Sequence, residues 1–237
     1  MSPIKPTKEL GIEEIFSLAW DLYTKHAKNI IPPYLILGIL TLIGKYIPIS
    51  THIGTLEIVS RKLTLWWIIV AGIALWWMII GIVSLIVAGI TIKYTGDVIE
   101  GANPTLKSSL NYIVNRLGDI ILTAILLAII LTIGFILLII PGIIFGIMFI
   151  LAMHVTVLEG KGPIDSLHRS KQLVKGRWIT TFAIILIIFI IVFIVSMIPL
   201  LDSILTIIIQ PYLVTTLTFL YYSMRAREKQ LPPSIAN

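Results

Sequence analysis

Two carboxylates, one histidine and a run of basic residues are the side chains in this sequence with most reach toward chemistry. Glu100 opens Glu-Gly-Ala-Asn-Pro at 100–104, and Glu159 opens Glu-Gly-Lys-Gly-Pro at 159–163. Each follows a long apolar stretch. A carboxylate there can accept backbone N–H groups at the start of the next helix, or pair with Arg116, Arg169 or Arg177 and fix an elbow. A pair of carboxylates could also bind a cation or relay protons, but no third acid lies within a span, so the structural role is favoured. Gly101 and Gly160 permit the turn, and Pro104 and Pro163 suit the first turn of a following helix.

His154 stands five residues before Glu159 in an apolar run. An ionisable group there is costly to bury and is a functional hypothesis by default, set against a neutral imidazole that hydrogen-bonds locally. Gln210, before Pro211, is the other polar side chain inside a span and serves either a ligand or an interhelical hydrogen bond. Arg169, Lys171, Lys175 and Arg177 form a basic cluster. Contact with anionic lipid headgroups is its expected use, and a pocket for a phosphate-bearing ligand with Arg169 and Arg177 as two-pronged donors is the sharper one.

The remaining inventory excludes more than it suggests. There are no cysteines and only four histidines, His26, His52, His154 and His168, without metal-ligand spacing. No nucleophile elbow, phosphate loop or catalytic triad can be assembled. No catalytic activity, metal or cofactor is expected.

The elements that must hold these residues are membrane spans. Of 237 residues, 57% are hydrophobic and 13% charged, and mean hydropathy is +1.01. A soluble domain carries about 25% charged residues. The net charge of +6 fits an anionic membrane face better than nucleic acid, because no reading element accompanies the patch. A spanning helix needs about 20 apolar residues. Six stretches meet this: 30–49, 63–93, 120–140, 143–158, 178–200 and 203–222. Pro141-Gly142 is expected to break the third from the fourth, because one helix over 120–158 would run to almost 60 Å. Pro199 to Ser203 does the same for the last two, with Asp202 or Ser203 as cap. The first 28 residues lack a secretory signal pattern.

Lysines and arginines set the orientation. Fifteen lie in the N-terminal segment, the second and fourth connections and the tail, and three (Lys45, Arg61 and Lys62) lie on the other side. Both termini are therefore expected in the cytoplasm of a cell (plasma or inner) membrane protein. Trp66, Trp67, Trp76, Trp77, Tyr221 and Tyr222 suit interfacial positions.

The two Glu-Gly motifs lie 59 residues apart, which suggests an internal repeat. Leu106, Leu110, Ile113 and Leu117 make one helical stripe, as do Ile164, Leu167, Val174 and Trp178, with Leu173 off it. Ile12, Ile15, Phe16, Ala19 and Tyr23 repeat the pattern near the start. The expected fold is all-α: a polytopic membrane protein of six transmembrane helices, arranged as three units of cytoplasmic interfacial amphipathic helix plus hairpin. The whole chain, 1–237, forms one membrane domain, with units at about 10–95, 100–158 and 159–224 and a short basic tail, 225–237.

Pro141-Gly142, Val157-Leu158-Glu159-Gly160, Ser166-Leu167-His168-Arg169-Ser170, Leu173 and Gly176 resemble the membrane-domain family named after glycerophosphoryl diester phosphodiesterases, with related prokaryotic integral membrane proteins. The similarity is sharpest over 141–178. In that family's phosphodiesterases, the resemblance implies, catalysis belongs to a separate soluble barrel. It therefore implies a membrane module and transfers no active site.

Three functions follow in order of preference. The first is a non-enzymatic membrane module in envelope or lipid-related function. The second is a transporter or flippase of lipids or other amphiphiles, with His154, Gln210 and Glu159 facing a cavity. The third is a membrane enzyme on lipid phosphodiesters. Membrane lipids are the expected partners, nucleic acid is not, and a protein partner or homo-oligomer is left open.

Overall fold

A computed structural model describes the backbone of residues 5–58, 63–197 and 205–230, and the side chains of 5–44, 67–197 and 207–230. Among these residues the structure is helical throughout, with no strand. The helices are α1 (Ile12–Ile58), α2 (Leu63–Ile99), α3 (Leu106–Asn115), α4 (Leu117–Leu137), α5 (Ile139–Phe149), α6 (Ala152–Leu158), α7 (Pro163–Val174), α8 (Trp178–Ser196) and α9 (Gln210–Gln230), the last entered through a π-turn at Leu205–Ile209. Six segments are long and apolar enough to span a bilayer: Ile12–Gly44, Trp67–Ile99, Leu117–Leu137, Ile139–Leu158, Trp178–Ser196 and Ile207–Gln230. In lipid every backbone polar group must find its partner internally, and helices of this length satisfy that condition. The chain is a multi-pass membrane protein.

α9 is the hub. Thr215, Thr216 and the whole run from Thr218 to Met224 are buried, so this helix is covered on nearly every side. Phe219, Leu220, Tyr221 and Tyr222 pack with Ile15, Ala19, Leu22 and Tyr23 of α1, and with Tyr94, Val98 and Ile99 of α2. Buried hydroxyls sit between the helices: Thr95 Oγ1 donates to Thr218 Oγ1 at 3.4 Å, and the Thr123 and Thr156 hydroxyls lie 3.1 Å apart. Each of these threonines also returns its proton to a carbonyl in its own helix or shares it with its partner, so no lone polar atom is left. The outer helices instead turn their isoleucines outward, Ile68 on α2, Ile136 on α4 and Ile179 on α8 being well over half exposed. Lipid covers such faces at no hydrophobic cost.

Several boundaries differ from the sequence expectation. The first amphipathic segment and first span form one continuous helix of 47 residues, about 70 Å long. Pro32 and Pro33 lie inside it rather than at its start. Each proline removes one ladder hydrogen bond, a loss that a spanning helix tolerates where its surroundings compensate. The second span continues past Lys93 to Ile99. The hairpin between the third and fourth spans turns at Leu138, whose backbone is extended (φ −169°, ψ 155°), and not at Pro141-Gly142. Pro141 falls in the first turn of α5, where its missing N–H costs nothing. The hairpin arms close there because Gly134 faces Gly142: a Cβ on Gly134 would lie 3.0 Å from the Gly142 Cα. The sixth span does not end at Tyr222, and helix continues through the basic tail to Gln230. The expected turn at 199–203 and the side chains of Lys45, His52, Arg61, Lys62 and Trp66 lie outside the described residues.

Candidate functional site

The two Glu-Gly motifs take the same backbone path. Gly101 has φ +86° and Gly160 has φ +68°, a left-handed conformation that glycine enters without Cβ strain. A short helix follows each, and an arginine stands at the N-cap of the span after it: Arg116 (φ −116°, ψ 15°), which also ends α3, before α4, and Arg177 (φ −133°, ψ 28°), two residues past the Lys175 cap of α7, before α8. The starts differ. Pro163 opens α7 as expected, but α3 begins only at Leu106, capped by Thr105, whose hydroxyl accepts from Ser108 N–H at 3.1 Å. Thr105 supplies the capping oxygen that Pro104 lacks.

The buried face of α7 overlaps the predicted stripe at Leu167 and Val174 only. Ser166, Leu167, Ser170, Leu173 and Val174 are buried, and Ile164 is 64% exposed. The two serines let α7 approach the bundle closely. Ser170 Oγ accepts from Leu151 N–H at 3.2 Å and donates to Met148 C=O at 2.8 Å. Its hydroxyl thus fills the gap between α5 and α6, where the helix ladder is interrupted; an inserted side chain is a recognised cause of such a break. In α3, Ile113 is buried as expected, while Leu110 is 40% exposed.

Polar chemistry converges on Glu159. Its Oε1 receives Tyr221 O–H at 2.9 Å and Arg169 Nε at 3.3 Å, and Lys161 Nζ lies 3.2 Å from Oε2. Arg169 turns its other edge to Glu228, with Nη1 and Nη2 each 2.5 Å from a separate oxygen. Burial by itself raises the Glu159 carboxyl. The Arg169 charge and the hydrogen bonds from Tyr221, Lys161 and Arg169 outweigh it, and the group titrates below its ordinary 4.5. Hydrogen bonding to Glu228 in turn raises the Arg169 guanidinium above its ordinary value, against burial.

Glu100 sits in a parallel but separate cluster. Lys5 Nζ lies 3.0 Å from it and also over the Tyr222 ring, 5.8 Å from the centroid. Its carboxyl too is lowered, the effect of burial being overcome chiefly by Lys5. Of the neighbouring tyrosines of α9, Tyr221 thus serves one motif carboxylate, while Tyr222 O–H donates to Gly96 C=O at 3.3 Å. Tyr221 and Tyr222 are both buried within the protein.

Arginines tie the rest of this end together. Arg116 Nη2 donates to Gly160 C=O at 2.6 Å and to Asp119 at 2.8 Å, so the first elbow's arginine holds the second elbow's glycine. Arg177 pairs with Glu9, to which Arg227 also reaches at 3.7 Å. The N-terminal segment, both elbows and the end of α9 thus lie at one end of the bundle.

Among the sequence-predicted residues, Glu159 and Arg169 meet directly. Arg177 lies in the neighbouring Glu9 cluster. Lys171 and Lys175 are exposed and have no carboxylate partner among the described residues. His154 is 3% exposed on α6, and neither ring nitrogen has a hydrogen-bond partner among the described residues. Gln210 is half-buried at the junction of the π-turn and α9, apart from the Glu159 cluster. No group of three or more metal-ligating side chains occurs among the described residues. Sequence reasoning missed Glu228, Tyr221 as a donor, Glu9 and Ser170. Glu228 had a signal: it stands seven residues after Tyr221, on the same helical face, as the one acid in a basic tail.

Residues 57–227 match a domain of unknown function, DUF7847. The chain belongs to that family. The family's domain starts at the last turn of α1 and takes in both elbows, Glu100, Glu159, Arg116, Arg169 and Tyr221. Glu9 and Lys5 lie before it, and Glu228 stands one residue beyond. No curated protein and no solved structure matches the chain.

Proposed function

We propose that this protein is a non-enzymatic membrane module acting in envelope or lipid-related function in the plasma (inner) membrane, with both termini cytoplasmic. The observation that carries it is the use of the ionisable groups at the elbow end. Glu159 is held by three donors and Arg169 by two carboxylates, so the groups best suited to acid–base work are engaged in fixing α7 and α9 to each other. The orientation rests on the sequence split of fifteen basic residues against three, and Lys5, Lys161, Arg169, Arg177 and Arg227 among the fifteen pair with carboxylates of this end. The repeated Glu-Gly elbow, short helix and arginine support reading 100–158 and 159–224 as copies of one unit. The first unit, 10–95, departs from it by running its amphipathic segment and span together. Kinship with the phosphodiesterase-associated membrane family belongs to the same proposal, as does lipid contact by Lys171 and Lys175. The test is purification in a mild membrane mimetic, followed by identification of co-purifying lipids and proteins and an assay on lipid phosphodiesters. Bound lipid or a stoichiometric partner without hydrolysis is expected; hydrolysis lost in Glu159→Gln would overturn the reading.

A second reading, transport of lipids or other amphiphiles, draws on His154. A buried imidazole whose two nitrogens have no hydrogen-bond partner among the described residues is costly, and a passing polar headgroup would satisfy it. Transport of a labelled lipid across proteoliposomes that disappears in His154→Ala would favour this reading over the first.

A further inference from the structure

An apolar groove of about 390 Å³ runs between α1, α2 and α3, within the size range of small-molecule sites. Pro32 and Ile36 form its α1 wall, Val83, Val87 and Ile90 its α2 wall, and Leu110 its α3 rim. From Val83 to Ile90 the α2 wall rises about 10 Å along the helix. The groove therefore follows α2 for about two turns, beside the first turns of α3. Its lining includes one charged residue, Lys107, on the first turn of α3. Lys28 lies one helical turn before Pro32, on the same face of α1. Both lysines are exposed and have no carboxylate partner among the described residues. One cation, Lys107, thus lines a slot that is otherwise hydrocarbon, and Lys28 stands one helical turn beyond its α1 wall.

We infer that this groove holds one acyl chain of an anionic membrane lipid, whose headgroup phosphate is bound by Lys107 and Lys28. The inference rests on the membrane reading above and names its ligand. Chemistry fixes the occupant: an apolar slot open to lipid takes a hydrocarbon chain, and an ammonium at its mouth is a point-charge phosphate binder. A free phosphate ion would leave the groove empty, and a zwitterionic headgroup would gain less from two uncompensated lysines. The exposed Leu110 acquires a role here, as the wall of a lipid site on a helix otherwise held by Ile113 and Ser109.

The experiment is native mass spectrometry of the full chain, titrated separately with phosphatidylglycerol and phosphatidylcholine of the same chains. One phosphatidylglycerol bound about tenfold more tightly than phosphatidylcholine is expected. Lys107→Glu abolishes that preference, and Leu110→Trp, which fills the groove from its open side, weakens both lipids. Ile136→Trp, far along α4, leaves both unchanged. Equal affinity for the two lipids, or a preference that survives Lys107→Glu, would overturn the inference. Because Lys107 is a surface residue, that variant remains informative if Leu110→Trp does not fold. Thiol labelling of Asn103→Cys on the same preparation separates the two proposals. An inside location without lipid preference defeats this inference alone, and an outside location defeats the membrane orientation on which it rests.

Discussion

Arg169 and Glu228, fifty-nine residues apart, meet through two parallel hydrogen bonds of 2.5 Å. The same guanidinium reaches Glu159 through Nε. One planar cation thus joins the loop after the fourth span, the short helix α7 and the end of the central helix α9. Only arginine offers donors on two edges in this geometry. Arg169→Ala leaves Glu228 without its arginine and Glu159 with only Lys161 as counter-charge, and should lower thermal stability by about 2 kcal/mol, less than a fully buried pair because Glu228 keeps some solvent. Arg169→Lys should recover less than half of that loss. Melting curves of the two variants in one detergent check both statements.

Acid should loosen this end of the bundle. Glu159 and Glu100 titrate below their ordinary 4.5 in the folded protein. Between the folded and unfolded values the unfolded chain binds more protons, so stability rises with pH there. The contribution is complete above about pH 5 and is lost as pH falls through the folded values. Melting temperature is expected to be flat from pH 8 to pH 5 and to decline below it. Glu159→Gln should show a shallower decline, and an identical pH profile would remove Glu159 from the explanation.

The second elbow depends on a glycine for two independent reasons. Gly160 holds φ +68°, and a Cβ there would press on the Arg116 guanidinium. Gly160→Ala should cost about 2 kcal/mol from the backbone conformation and the displaced arginine together. Gly162, two residues on, has open space and φ −66°, so Gly162→Ala should cost only what an N-cap loses from glycine to alanine, about 0.5–1 kcal/mol. Equal losses for the two alanines would show that the elbow does not constrain the chain as described.

Ser170 is buried, and its hydroxyl joins α7 to the break in the fourth span. Ser170→Ala strands the Leu151 N–H and the Met148 carbonyl, an expected loss of about 1–3 kcal/mol. Hydrogen exchange at Leu151 should accelerate in the variant. Unchanged exchange would mean that the interrupted ladder closes without the serine.

Six apolar spans and the meeting of Glu159 with Arg169 were legible in the sequence, because hydropathy and charge each leave a local mark, whereas Glu100 meets Lys5 and none of the three arginines expected for it. Glu159 and Arg169 lie ten residues apart, and a short helix brings them together. Glu228 and Glu9 were not legible as partners, since nothing local says which arginine a distant carboxylate will meet. The turn at Leu138 was misplaced because a proline that opens a helix and one that closes it look alike in an apolar run. The face of α7 was misjudged because small serines, and not the isoleucine, decide how closely that helix packs.

The orientation of the elbow end carries the whole account, and the cysteine-free sequence makes it directly measurable. Single cysteines at Asn103, between α2 and α3, and at Lys171, on α7, would be challenged in intact cells with a thiol reagent that does not cross membranes. Both are expected to stay unlabelled until the membrane is opened, and then to label fully. Labelling of either residue in intact cells would place the elbows outside and contradict the reading of this protein as a module whose polar end faces the cytoplasm.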